Sequence, residues 1–178
     1  MSFHRRFAFV SSLLLCSLSA FACGGEASSG GVTESAAPAA PGDGSSCAAL
    51  PNFAPEVPIV AVASAPPAAG GGPIANGTYD ATTATLFTGP GGTSGPTGKH
   101  LQMTVRIDGG SATTAVDGVT SEAAITLDGT NLHSDSICPS KQAYDTAYTA
   151  TPTTLSIYVV DSKGTRVYSL TKRERRKS

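Results

Sequence analysis

The chain has 178 residues, with 12 basic against 13 acidic side chains and a formal charge of −1. That is room for one domain, and the balance excludes the basic face that a nucleic-acid-binding domain presents. Four cysteines and three histidines, with no C-x-x-C, make a dedicated metal centre a poor reading.

The chain opens with His4, Arg5 and Arg6, followed by an apolar run of 12 residues over 7–18. That run is too short to span a bilayer as a helix and has the layout of an export signal. It ends in Ala20-Phe21-Ala22-Cys23-Gly24-Gly25. A cysteine directly after a small residue at this place resembles the lipobox of bacterial lipoproteins, with Ala20 where that motif usually carries Leu. The resemblance implies a signal peptide over 1–22, lipidation at Cys23 and attachment to a membrane of the bacterial cell envelope. Several acyl chains hold a protein far better than one, at about 0.8 kcal/mol per buried CH₂. Ala20-Phe21-Ala22 also fits the A-x-A pattern of ordinary secretory cleavage, which implies a soluble exported protein. Cysteine parity separates the two. Cys16 is removed either way, and acylation of Cys23 leaves Cys47 and Cys138 as an even pair.

Residues 23–73 read as a tether. Of the 50 residues in 24–73, 36 are Ala, Gly, Pro or Ser, too few large apolar groups to offset the entropy of ordering. Gly/Ser portions are flexible and Pro portions extended. Within this zone Ile59-Val60-Ala61-Val62, after Val57 and Pro58, either adds an edge strand, a position that Pro58 suits, or lies against the domain.

Residues 74–171 read as strands throughout. They hold 20 threonines, and β-branched side chains fit a pleated surface better than a helix. Asn76-Gly77 opens a strand over 78–88, and a Gly/Pro/Thr loop follows over 89–98. Leu101, Met103, Val105 and Ile107 alternate with Gln102, Thr104 and Arg106, the clearest period-2 signal in the chain. Asp108-Gly109, Asp117-Gly118 and Asp128-Gly129 are spaced as turns, each with a glycine free to take φ > 0. Strands are expected over 144–150 and from Leu155 to Val159, with Ser162-Lys163-Gly164 turning the chain into a last strand over 167–171. The fold class expected is all-β: a small antiparallel up-and-down barrel or sandwich of about seven or eight strands behind a disordered tether.

Ile74-Ala75-Asn76-Gly77-Thr78-Tyr79, Cys138-Pro139 after a hairpin, and Tyr168-Ser169-Leu170-Thr171-Lys172-Arg173 resemble the lipocalin-like domains of bacterial lipoproteins. Tyr79 stands where that family places Trp, and this chain has no Trp. The resemblance covers most of 74–173 and implies a small barrel that can enclose a ligand cavity.

Few residues carry chemistry. Cys47 and Cys138 read as a structural disulfide, since disulfides persist in exported proteins. His133-Ser134-Asp135 resembles fragments of a catalytic triad, but neighbours in a strand point to opposite faces, and no G-x-S-x-G elbow exists. The run from Gly91 to His100 fails as a phosphate loop, because a strand follows it where a helix N-terminus is needed. Tyr79, Phe87, Tyr144, Tyr148, Tyr158 and Tyr168, with Met103, Val105 and Ile157, line either a packed core or a ligand cavity. Residues 172–178 carry five basic side chains and Glu174, a net +4, and read as a solvated tail able to meet anionic head groups. Without Arg5 and Arg6 the exported part has 10 basic and 13 acidic residues, so apart from that tail it carries −7.

The function expected is that of a non-enzymatic envelope lipoprotein without a cofactor. Its barrel either binds a small apolar or envelope ligand or, with a filled core, serves as a structural or protein-interaction module. A filled interior around Met103, Val105, Ile125, Leu155 and Ile157 separates the second from the first.

Overall fold

A computed structural model describes residues 47–174. The export signal, Cys23, the early part of the expected tether and residues 175–178 lie outside the described residues. Ten strands form one sheet: β1 Val57–Val62, β2 Gly77–Phe87, β3 Gly95–Leu101, β4 Met103–Asp108, β5 Ser111–Val116, β6 Val119–Asp128, β7 Asn131–Cys138, β8 Gln142–Ala150, β9 Thr154–Asp161 and β10 Gly164–Lys172. Strands β2 and β4 to β10 follow one another antiparallel, and β10 pairs back onto β2. The result is a closed eight-stranded antiparallel barrel with two additional strands. Closure removes most of the free edges that an open sheet of this size would expose.

The turns are those the Asp-Gly pairs announce. At the β5–β6 turn Asp117 has φ 48° and Gly118 φ 85°, so both central residues take the left-handed conformation that a tight hairpin requires. Asp117 Oδ1 also accepts from the Gln102 backbone N–H at 2.9 Å. This contact occupies the single-residue break between β3 and β4.

Four expectations are corrected. The strand around Ile59 is not at an edge. β1 pairs parallel with the second half of β2, Ile59 opposite Ala84, and antiparallel with β3, Val57 opposite Leu101. β4 pairs with β2 only from Gly77 to Asp80, and β1 occupies the place that opens beyond. Pro58 is tolerated there because the ladder to β3 is irregular between Pro58 and Val60. The edge is β3 instead, where Pro96 and Lys99 discourage pairing by another chain. Residues 95–98, the last four of the ten in the expected 89–98 loop, belong to this strand.

The ordered fold also begins well before residue 74. Residues 47–56 lie across the outer face of β4 and β5. Asn52 Nδ2 donates to the Gln102 carbonyl at 2.9 Å and the Ala115 carbonyl at 3.3 Å, while Gln102 Nε2 donates to the Ala54 carbonyl at 2.8 Å. Thr104, Thr113 and Ala115, on the outward side of their strands, are buried beneath this segment. At the other end β10 runs to Lys172, and Arg173 forks onto Asp80 with contacts of 2.7 and 2.8 Å, so the basic tail does not begin at 172. Composition alone could not reveal either docking, because small residues fold wherever a neighbouring surface supplies the burial they lack.

Asn52 tests this attachment. Asn52→Ala leaves two part-buried carbonyls without their side-chain donor and is expected to cost about 1–3 kcal/mol. Asn52→Asp, which keeps the acceptor Oδ1 but loses the amide donors, should not rescue it in urea denaturation.

Candidate functional site

Register and burial together define the inner wall of the barrel. The end of the barrel where β2 begins is filled. Tyr79, Val105, Ile107, Leu132, Tyr148, Leu155 and Leu170 form its buried cluster, with Ile125, Ile157 and Tyr168 packed against it. The residues between the tether and β2 cross this end as a floor. Tyr148 Oη donates to the Gly72 carbonyl at 2.9 Å, and Tyr79 Oη donates to the Ala75 carbonyl at 2.6 Å. Burial pushes the Tyr79 phenol above its ordinary pKa, so it remains a donor at any physiological pH. Gly71 permits the floor to close. Its φ is +64°, and a Cβ there would collide with the Gly129 carbonyl oxygen.

The opposite half of the barrel has a different lining. Opposed pairs on β5 to β8 place Thr114, Ser121, Ala123, Ser134, Ser136 and Thr146 on the inner face, all half-buried. Across from them, Arg166 Nη2 lies 2.6 Å from Asp161 Oδ2. A hydrogen bond with Tyr168 raises the Arg166 pKa further, and Asp161 adds to it. Tyr144 points the same way and is 50% exposed. This half is a polar bowl above an apolar plug.

The barrel wall is also open at one seam. β8 pairs with β7 from Gln142 to Ala147, and β9 with β10 along its whole length, yet β8 pairs with β9 only from Ala147 opposite Tyr158 to Ala150 opposite Leu155. Continuing that register would place Asp145 opposite Val160, but the ladder has ended. A groove of about 590 Å³ lies here, lined by Pro66, Pro67, Tyr144, Asp145, Tyr158 and Val160 among others. Val160 is 78% exposed. The Pro66-Pro67 wall belongs to the stretch between β1 and the floor, which is tied down where Gly70 donates to Thr149 Oγ1 at 2.8 Å.

A larger, open groove of about 1390 Å³ runs along the floor end, past Arg106, Asp108, Lys172, Arg173 and Glu174. Its charges are of both signs, and Arg173 is committed to Asp80. The guanidinium also sits 5.8 Å from the centroid of the Phe53 ring, so it serves as a clamp for the 47–56 segment.

The remaining sequence candidates fall as follows. Cys47 and Cys138 are joined, with Cα atoms 5.5 Å apart. Met103 and Val105 are core residues. Phe87 is half-buried at the end of β2, between Val62 and Thr165, and is outside the core cluster. Tyr158 is on the outer face, its hydroxyl 3.3 Å from Thr149 Oγ1. His133 projects outward and Ser134 inward, so they cannot act on one substrate. Among the described residues no cluster of three or more His, Cys, Asp or Glu is arranged to hold a metal ion. Sequence reasoning missed Asn52, Thr104 and Asp80, which meet through 2.9 Å contacts at Thr104 Oγ1. No local signal marks such residues, since they lie 24 and 52 positions from Thr104. The chain matches no family model, no curated protein and no solved structure.

Proposed function

We propose that this chain is an exported, lipid-anchored protein of the bacterial envelope whose barrel is a non-enzymatic interaction module, working through its surface and its open seam. The carrying observation is the filled barrel axis. Tyr79, Tyr148, Leu155 and Leu170 are each at most 2% exposed, which leaves no room at that depth for the apolar guest of a carrier. The disulfide supports an oxidising compartment, and the lipobox resemblance at Cys23 supplies the anchor. At the seam, Val160 and Tyr144 expose apolar and aromatic surface beside an interrupted ladder, the features that protein contacts use.

The polar bowl and the seam groove support a second reading, a small-ligand site at the opposite end from the plug. Native and denatured masses of the oxidised protein, purified without residues 1–22, separate the two. Equal masses are expected. A native mass higher by a few hundred daltons would identify a retained ligand and overturn the interaction-only reading.

A further inference from the structure

His133 lies on the outer face of β7 between two carboxylates. Its Nδ1 is 2.8 Å from Asp145 Oδ1, across the strand pair on β8, and its Nε2 is 3.3 Å from Asp135 Oδ1. A neutral imidazole carries one N–H and one bare lone pair. It can therefore donate to only one of these groups and must turn its lone pair towards the other. Only the imidazolium, with both nitrogens protonated, satisfies the pair of contacts. Asp145 has a second role, because it lines the seam groove at the position where the β8–β9 ladder stops.

We propose that His133 is a pH-operated latch on the seam groove. Protonated, it holds Asp145 and Asp135 and offsets one of their two negative charges. Neutral, it can donate to only one of them, and Asp145 at the groove loses its counter-charge. The local charge then becomes more negative by a full unit at one lip, which strengthens the groove's preference for cationic segments as pH rises. This inference concerns the groove's electrostatics and holds whether a protein or a small ligand occupies it.

The surroundings favour the charged form. On the neighbouring outward positions β6 presents Glu122, Thr126 and Asp128, β8 adds Ala143 and Ala147 beside Asp145, and among the described residues Lys141 in the β7–β8 turn adds an opposing charge. The His133 pKa is raised above its ordinary 6.5, chiefly by the hydrogen bond with Asp145; desolvation, the next largest influence, opposes it, and the charges of Asp135 and Asp145 and the hydrogen bond with Asp135 add to the rise. A raised folded pKa means that the latch's contribution to stability is complete below 6.5. It is lost as pH rises through the folded value.

NMR titration of the exported, oxidised protein between pH 5 and 9 tests the latch. His133 should titrate above 6.5, identified as the histidine resonance absent from His133→Gln. Backbone amides of Tyr144, Asp145 and Val160 should shift with the same midpoint, and those shifts should vanish in His133→Gln. In Asp145→Asn the His133 midpoint should fall. A His133 midpoint at or below 6.5 would overturn the proposal, as would groove shifts that persist unchanged in His133→Gln.

Discussion

Replacing Cys138 with Ser is expected to destabilise the oxidised protein by about 4–5 kcal/mol. The two cysteines are 91 positions apart, and closing a loop of that size removes roughly this much chain entropy from the unfolded state. For a domain of this size the melting temperature should fall by roughly 10–20 °C. The loss should be uneven. Cys47 tethers the start of the segment that covers Thr104, Thr113 and Ala115, so amides in residues 47–56 should lose hydrogen-exchange protection before the barrel strands do. Cys47 should also become reactive to alkylation. A reductant provides the control, lowering the wild-type melting temperature to that of the variant and leaving the variant unchanged. If the reductant lowered both equally, the stabilisation would lie elsewhere.

Tyr79→Ala is expected to cost about 3–5 kcal/mol, the range for truncating a large buried aromatic. Tyr79 is fully buried, lies on β2 opposite Val105 of β4 and Lys172 of β10, and joins the floor to the core through its hydroxyl. Tyr79→Phe separates these contributions. It keeps the ring and removes only the donor to the Ala75 carbonyl, so about 1–3 kcal/mol is expected. Calorimetric unfolding of both variants measures the difference. Equal losses in the two would show that the hydroxyl, and not the ring, carries the floor.

The local elements were legible because their signals are local. The alternation from Leu101 to Ile107 places Met103, Val105 and Ile107 in the core, and each Asp-Gly pair marks a hairpin between consecutive strands. The pairing of Cys47 with Cys138 followed from counting, since the expected removal of Cys16 and acylation of Cys23 would leave two thiols with one partner each. The tyrosines were less legible. Alternation distinguishes Tyr148, buried on the inner face, from Tyr158 on the outer one. It does not tell that Tyr144, on the same inner face, would stand half exposed above the plug. How far along the barrel axis a position lies depends on strand stagger, which no single strand encodes.

The composition and periodicity of this chain determined that it is all-β, where its hairpins turn and which faces of its strands are apolar, because each of these follows from the pleat and from turn chemistry within a few residues. Only the tertiary structure decided that Val57–Val62 inserts between β2 and β3, that residues 47–56 cover the outer wall, that residues 72–75 close the floor, and that the β8–β9 seam stays open. These features come from partners far apart in sequence. A strand carries backbone donors and acceptors on both edges, and nothing in its own residues specifies which distant edge will meet them.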